Sequence, residues 1–179
     1  MALKKWVKLK ETTFKENGFW KYKIDRFHIG DGIEREYHYV HTNGSTMVIP
    51  VTSDNKIILI KQYRYLNRME SYEFPSGSVE DGLTIIENAQ KELREETGFR
   101  ASNLIKIGFF APYTGASDEI CTVFKGTGLV PDPLKSDATE DFEIHEFNHS
   151  EISEMAEKNI IWDGLSLSAW MLAKNTFNL

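Results

Sequence analysis

The chain has 179 residues, which is enough for one domain with a substantial core, and its net charge is -6. The composition, 41% hydrophobic and 27% charged, is ordinary for a soluble globular protein. The acidic balance argues against non-specific nucleic-acid binding, no apolar run approaches membrane-spanning length, and the single Cys121 excludes an intrachain disulfide. We therefore expect a cytoplasmic protein without nucleic-acid or membrane partners.

Short strands dominate the first part of the chain. Three predicted strands rich in aromatic residues come first, and Asp31-Gly32 gives a hairpin-turn signal between the second and the third. Two more apolar strands follow and are predicted to pair with each other. The five predicted strands are 5–14, 19–30, 33–42, 45–52 and 56–65.

The rest of the chain mixes strands and helices. The predicted elements are a loop at 72–82, a helix at 84–97, strands at 104–113 and 119–129, an acidic stretch at 136–147 that leads into a last strand, and helices at 151–159 and 165–177. Because strands outnumber helices and their order is mixed, the pattern predicts an α+β fold or an α/β/α layered domain rather than a barrel. Residues 1–42 are predicted to form an N-terminal antiparallel β extension, and residues 43–179 the main domain.

The helix at 84–97 has defined ends. Thr84 and Glu87 form a capping-box pattern, and Gly98 suits the left-handed residue just after a helix. At 100° per residue the apolar side chains share one sector, which is predicted to face the core. This sector contains Ile85, Ile86, Ala89 and Leu93.

Three carboxylates lie near one edge of that sector. Glu92 and Glu96 are one turn apart and Glu95 lies just beyond them, whereas Lys91 and Arg94 are predicted to point to the opposite side. Like charges at this spacing repel one another, so partly desolvated carboxylates need a compensating cation. A divalent ion with oxygen ligands, Mg²⁺ or Mn²⁺, is the first interpretation, and a solvated charged helix edge is the alternative. The preceding loop, EFPSGSVEDG, favours the ion because its Pro and Gly residues expose backbone groups.

The segment from Gly77 to Phe99 resembles the signature of the Nudix hydrolases. The matching positions are Gly77, Glu92, Leu93, Glu95, Glu96, Gly98 and Phe99. Leu83 and Lys91 depart from the signature, because the family has Glu and Arg at these positions. Further segments are similar to the ADP-ribose pyrophosphatases and nucleoside diphosphate sugar hydrolases of this family, namely EFPSG, KQYRY, TGASDE, TEDFEIHEF and KNIIWDGLSLSAWMLA.

The resemblance implies a Nudix-type α/β/α sandwich with a mixed sheet and a metal-dependent active site. It implies that Glu92 and Glu96 bind Mg²⁺, with Mn²⁺ as the alternative ion, that the Ser76 carbonyl coordinates the ion, and that Glu95 assists catalysis. The general base of this group lies in the acidic loop. The candidates there are Glu140 first and Glu143 second, the alternative being an exposed acid with no catalytic role.

The substrate contacts implied by the resemblance lie outside the signature. Arg64 and Arg35 are candidates for phosphate or ribose contacts, or else surface cations. Trp20 and Tyr22 are candidates for stacking on a base, or else core or dimer-interface residues. Related enzymes commonly dimerise through this N-terminal sheet, so a homodimer through the N-terminal strands is expected.

The first functional hypothesis is hydrolysis of nucleoside diphosphate sugars, such as ADP-ribose or compounds like GDP-mannose, to a nucleoside monophosphate and a sugar phosphate. A non-catalytic nucleotide-sugar binding module is the second hypothesis, since Leu83 and Lys91 depart from the signature. The third is a pyrophosphatase of modified nucleoside triphosphates. Thr114 stands where ADP-ribose pyrophosphatases usually have a proline, so the preference for sugar and base stays open.

Overall fold

The computed structural model describes residues 3–136 and 141–177, in which the chain forms ten strands and three α-helices. The strands are β1 (Val7–Glu16), β2 (Lys21–His28), β3 (Arg35–His41), β4 (Ser45–Pro50), β5 (Ile57–Arg64), β6 (Met69–Glu73), β7 (Ser76–Ser78), β8 (Phe99–Phe110), β9 (Cys121–Pro131) and β10 (Glu143–Phe147). The helices are α1 (Ile85–Thr97), α2 (His149–Glu157) and α3 (Gly164–Ala173). No helix in these ranges is long and apolar enough to cross a membrane.

The described strands form three sheets. An N-terminal sheet has the order β1-β2-β3, a central sheet has the order β7-β4-β9-β8, and a third sheet has the order β10-β5-β6. The central sheet is mixed because β4 runs parallel to β9, while its other pairs are antiparallel. The α+β class, the mixed sheet and the antiparallel extension are therefore confirmed.

The predicted pairing of β4 with β5 is wrong. The two strands lie in different sheets. Val51, just after β4, makes an isolated bridge to Ile57, next to the turn in which the Thr52 N–H donates to the Lys56 carbonyl at 2.9 Å. Every residue of β4 is buried, so this strand needs neighbours on both edges and cover on both faces. The neighbours β7 and β9 supply the edges, which leaves β5 to a second layer.

Alternate side chains of β4 enter two different core clusters, because successive residues of a strand point to opposite faces. Met47 and Ile49 pack in the larger cluster with α2, α3 and β5, whereas Val48 packs against Ala89 and Leu93 of α1. The central sheet therefore lies between α1 on one side and the other helices on the other side. This is the predicted α/β/α layering.

Helix α1 begins and ends as predicted, but the face that it buries is different. Thr84 and Glu87 make the capping box in both directions, and Gly98 has φ 75° in the left-handed region. Ile85 and Ile86, predicted to face the core, are 46% and 48% exposed. The first turn is half exposed, and the buried face begins at Asn88. It contains Asn88, Ala89, Leu93, Glu96 and Thr97.

The N-terminal sheet is attached to the rest of the chain through the end of β3. The Val40 N–H donates to the Ala116 carbonyl at 2.8 Å, and the Asp118 N–H donates back to the Val40 carbonyl at 3.2 Å. His41 Nδ1 lies 2.7 Å from Asp118 Oδ2. These contacts bring the β1–β2 turn towards α1.

Asn88 connects α1, β4 and the loop after β7, and its substitution gives a stability prediction. Its side chain is fully buried, with Oδ1 accepting from the Glu80 N–H and Nδ2 donating to Thr46 Oγ1, both at 3.0 Å. Asn88→Ala is expected to lower the free energy of unfolding by about 1–3 kcal/mol, because buried polar partners lose their hydrogen bonds. Urea denaturation measures this, with exposed Asn103→Ala as the control. Equal losses of unfolding free energy in Asn88→Ala and Asn103→Ala would show that the hydrogen bonds of Asn88 do not stabilise the fold.

Candidate active site

A polar pocket of about 560 Å³ lies between α1, the β7 segment and the end of β5. Its walls come from five parts of the chain: α1 carries Glu92 and Glu95, residues 76–81 form the facing wall, Arg64 closes one side, the β1–β2 turn with Phe19 borders the opening, and Asn43 lies between β3 and β4. We refer to it below as the acidic pocket. Its size is typical of a pocket that holds a small ligand.

The backbone at Ser76 and Gly77 lies directly against two carboxylates of α1. Glu96 is 6% exposed, and its Oε2 accepts the Ser76 N–H at 2.9 Å. A Cβ added to Gly77 would lie 2.4 Å from Cδ of Glu92, so the Glu92 carboxylate occupies the space above this glycine. The predicted neighbours Ser76, Glu92 and Glu96 are therefore brought together. The segment 72–82, predicted as a loop, contains β7, which fixes this backbone beside α1 by pairing with β4.

Lys91 lies at the acidic pocket and does not point to the opposite side of α1, as its position on the helical wheel had predicted. Its Nζ contacts Glu95 Oε2 and lies 3.2 Å from Glu80 Oε1. Burial alone would lower the pKa of Lys91, but the hydrogen bonds to Glu95 and Glu80 raise that pKa above its ordinary value. The long side chain reaches around the helix, so the direction of its Cβ does not determine the place of its charge.

Arg64 is bound to a buried carboxylate of the neighbouring strand. Its Nε donates to Glu73 Oε1 at 2.8 Å and its Nη2 donates to Glu73 Oε2, while Gln62 Nε2 donates to Oε2 at 3.2 Å. Glu73 is 1% exposed, and its hydrogen bonds raise the pKa of Arg64 above the ordinary value. The bidentate pair orients the guanidinium group at the wall of the acidic pocket.

The other predicted substrate-binding residues do not line the acidic pocket in this chain. Arg35 is at the opposite end of the N-terminal sheet, where its Nη2 lies 2.7 Å from Asp31 Oδ2. The Tyr22 hydroxyl is 2.9 Å from His38 Nδ1, and the backbone N–H of Trp20 donates to Asn17 Oδ1 at 2.9 Å. None of the three is among the residues that line the pocket.

Of the two candidates for the general base, the structure describes only Glu143. Glu143 is on β10 opposite Lys61, with its carboxylate 3.9 Å from Lys61 Nζ and 3.2 Å from His145 Nε2. Residues opposite each other in an antiparallel pair share a face, so Glu143 is on the Lys61 face of β5 and not on the Arg64 face. Glu140 lies outside the described residues.

Sequence reasoning missed several residues of the acidic pocket. Phe19 enters from the β1–β2 turn, and Asn43, whose Nδ2 donates to Asp81 Oδ1 at 2.9 Å, lies between β3 and β4. The Asn17-Gly18 pair was a usable turn signal, since it predicts that Phe19 is at the tip of a hairpin. Asn43-Gly44 is a turn signal of the same kind, but only the tertiary fold places Asn43 beside Asp81.

The oxygen atoms of the acidic pocket fit a divalent cation. In the described part of the chain no three His, Cys, Asp or Glu side chains are close enough together to form a complete metal-binding cluster. Mg²⁺, however, usually takes only one or two protein carboxylates and completes its shell with water and substrate phosphates. Glu92 and Glu96 beside the Ser76–Gly77 backbone meet this requirement, and Glu95 is held by Lys91.

A substitution at Gly77 is expected to weaken ion binding without destabilising the fold. The side chain of Gly77→Ala would displace the Glu92 carboxylate, which is the flexible end of a side chain, so folding should be maintained. We expect Mn²⁺ binding, measured by electron paramagnetic resonance, to weaken by at least about tenfold. Gly164→Ala is the control, because an added Cβ there meets nothing within 4 Å. Unchanged Mn²⁺ affinity in Gly77→Ala would remove Glu92 from the ion site.

Arg64 gives a second stability prediction. Arg64→Met would leave the buried Glu73 carboxylate without its guanidinium partner, and we expect the free energy of unfolding to fall by about 3 kcal/mol. Arg26→Met is the matched control because the Arg26–Glu34 pair is half exposed, and it should change stability by less than about 1 kcal/mol. Equal losses of unfolding free energy in Arg64→Met and Arg26→Met, measured by chemical denaturation, would show that the Arg64–Glu73 pair stabilises the fold no more than an exposed pair does.

Comparisons with known proteins agree with this geometry. A family model described as NUDIX domain matches residues 41–170. The chain is 30% identical over 142 residues to the ADP-ribose pyrophosphatase of Bacillus subtilis (strain 168), which covers 78% of this chain and 77% of that protein. It is also 31% identical over 109 residues to the methanol dehydrogenase activator of Bacillus methanolicus, covering 61% of this chain and 59% of that protein.

A solved structure has the same fold. The crystal structure of an ADP compounds hydrolase superposes with a TM-score of 0.85 and covers 98% of this chain and 96% of that chain, at 21% identity. The family match covers more than half of the chain and includes α1 and β7, which form the acidic pocket. The chain therefore belongs to the Nudix family and is a Nudix hydrolase.

Proposed function

We propose that this protein hydrolyses the pyrophosphate bond of nucleoside diphosphate sugars in a metal-dependent reaction. The products are a nucleoside monophosphate and a sugar phosphate, so ADP-ribose would give AMP and ribose 5-phosphate. The observation that carries the proposal is that Glu92 and Arg64 line one pocket of about 560 Å³, with the buried Glu96 held next to it by the Ser76 N–H. Two carboxylates and one guanidinium match a substrate whose phosphates are bound both by cations and by an arginine.

Glu92 and Glu96 are the proposed metal-binding residues, with the Ser76 carbonyl as a further ligand. Mg²⁺ is the proposed ion and Mn²⁺ the alternative, in keeping with the general need of Nudix hydrolases for a divalent metal. When bound, the ion would neutralise phosphate oxygens and lower the pKa of a water molecule. The hydrogen bond from Ser76 N–H keeps Glu96 in place, and the absence of a side chain at Gly77 leaves room for Glu92.

Arg64 is the proposed phosphate-binding residue. Glu73 receives Nε and Nη2, so the guanidinium plane is fixed, and Nη1 is the nitrogen that takes no part in this pair. A fixed guanidinium loses little conformational entropy when it binds a phosphate oxygen. The general base is proposed to come from the acidic segment, with Glu140 preferred to Glu143, because Glu143 lies on the Lys61 face of β5.

The base of the nucleotide is proposed to bind near the β1–β2 turn. Phe19 is 78% exposed at the border of the acidic pocket, and an exposed aromatic ring offers a stacking surface. In an assembly of two chains, Trp20, Tyr22 and Arg35 are proposed to reach the substrate of the partner chain. The exposed edge strand β1 supports the proposed homodimer, since all its residues are exposed and its outer edge is open for pairing in the described structure.

A cytoplasmic location is part of the proposal. Cys121 is buried, and burial raises the pKa of its thiol to about 11. A protonated, buried thiol is unreactive, and a chain with one such cysteine is compatible with a reducing compartment.

The proposal is tested with a substrate panel. The protein is incubated with ADP-ribose, other nucleoside diphosphate sugars and nucleoside triphosphates, each with Mg²⁺, with Mn²⁺ or with a chelator, and the products are identified by chromatography. We expect metal-dependent formation of a monophosphate and a sugar phosphate. Saturable ADP-ribose binding without any product would support the binding module instead, and release of pyrophosphate from a triphosphate would support the third hypothesis.

The metal-binding carboxylates are tested by single substitutions. Glu92→Gln and Glu96→Gln are each expected to lower kcat by at least about 100-fold, because the loss of a ligand removes several kcal/mol of transition-state stabilisation. Glu157→Gln on the exposed side of α2 is the control and should retain full activity. Circular dichroism verifies folding, and full turnover by a well-folded Glu96→Gln variant would reject the site.

A further inference from the structure

Lys91 has two carboxylate partners, one on each side. Glu95 is one turn along the same helix, while Glu80 comes from the loop that follows β7. Lys91 is about one quarter exposed and Glu95 less than one fifth, whereas Glu80 is more than half exposed. One lysine therefore bridges an acid that faces the interior of the acidic pocket and an acid at its outer wall.

The backbone of Glu80 is fixed although its side chain is exposed. Its N–H donates to the buried Asn88 side chain at 3.0 Å, and its carbonyl accepts the Leu83 N–H at 3.2 Å in a tight turn. The preceding Val79 N–H donates to the Gly44 carbonyl at 3.0 Å. Glu80 is thus held at a constant position beside α1, from which its carboxylate reaches Lys91.

The charges show why a second partner matters. When a divalent cation binds at Glu92 and Glu96, it also attracts Glu95, which is the next carboxylate on the same helix edge. The charge of Glu92 also acts on Lys91, and an ion bound to Glu92 would neutralise it. If Glu95 then turned towards the ion, a partly buried lysine without a further acceptor would lose its hydrogen bond and its counter-charge. Leu83 offers no carboxylate, whereas Glu80, three residues earlier and across the same turn, does.

We propose that Glu80 is the alternate acceptor for Lys91, which takes over the lysine when Glu95 is drawn towards the divalent ion. Lys91 and Glu80 are then positioning residues for the carboxylates of α1, and Glu80 lowers the free-energy cost of releasing Glu95. This inference rests on the proposed function, since it requires that the acidic pocket bind a metal ion.

The test is a double-mutant cycle on metal binding by the full chain, with Mn²⁺ as the probe and electron paramagnetic resonance as the readout. Glu80→Gln is expected to raise the Kd for Mn²⁺ about tenfold, as loss of a supporting partner typically does. In the Lys91→Met background the same substitution should change Kd by less than about twofold, because no lysine needs the alternate acceptor. In the Lys91→Arg background the tenfold effect should return.

The matched control is the exposed ion pair between Glu154 of α2 and Lys158, the residue just after this helix. It has the same four-residue spacing as the Lys91–Glu95 pair. Glu154→Gln should leave the Kd for Mn²⁺ unchanged. The Mg²⁺ concentration that gives half-maximal hydrolysis should rise in Glu80→Gln by the same factor as the Kd for Mn²⁺.

If Glu80→Gln raised the Kd for Mn²⁺ equally in the wild-type and Lys91→Met backgrounds, the inference would be overturned. Glu80 would then act on the ion by long-range electrostatic attraction, which does not depend on Lys91. Unchanged Kd in Glu80→Gln would overturn it as well. If the wild type binds Mn²⁺ and shows the cycle but cleaves no nucleotide, the proposed reaction fails while the inference stands. If the wild type cleaves its substrate but the cycle shows no coupling, only the inference fails.

Discussion

The hydrogen bond from the Ser76 N–H to the Glu96 carboxylate is the contact on which the active site depends. A carboxylate that is 6% exposed is costly to bury unless a donor or a cation compensates it, so this bond also fixes the distance between α1 and β7. Asn88, eight residues earlier in the chain than Glu96, repeats the connection by binding both β4 and the Glu80 backbone. The capping box and Gly98 define the two ends of α1, which sets the rotation at which its acidic edge meets the loop. The fold therefore places Glu96 where the backbone N–H of Ser76 is available.

The basic side chains at the acidic pocket are each bound to specific carboxylates. Lys91 is shared by Glu95 and Glu80, and Arg64 is paired with Glu73 in the layer below. The charges of Glu92 and Glu96 also act on Lys91 and Arg64, respectively. Hydrogen bonds to carboxylates raise the pKa of both Lys91 and Arg64, so both remain charged throughout the neutral range. Binding a phosphate-containing ligand then needs an additional positive charge, which is the role assigned to the divalent ion.

What the sequence predicted well is local, and what it missed depends on packing. The two ends of α1 were predicted because each cap depends only on residues within one helical turn, namely Thr84 with Glu87 at the start and Gly98 at the end. The exposure of Ile85 and Ile86 was not predicted, because a helical wheel contains no information on where the neighbouring sheet ends. The adjacency of two apolar strands suggested that β4 and β5 pair, whereas the complete burial of β4 places them in separate layers. Lys91 was assigned to the wrong side because its charge lies at the end of a flexible chain of four methylene groups. Phe19 and Asn43 reach the pocket from turns that are distant in sequence.

The proposed metal-binding residues and the proposed recognition residues are on different kinds of structure, which agrees with a family whose relatives have different names. Glu92 and Glu96 are on a helix whose position is fixed by buried hydrogen bonds, so a change in their geometry would require a change in the core. Phe19 and Asn43 are on connections between strands, where substitutions and insertions disturb few buried contacts. The pocket wall formed by the β1–β2 turn belongs to the N-terminal sheet, most of which lies outside the matched residues 41–170. Differences in base and sugar preference are therefore expected to arise from the N-terminal sheet and from the turns, while the arrangement of acids on α1 stays constant.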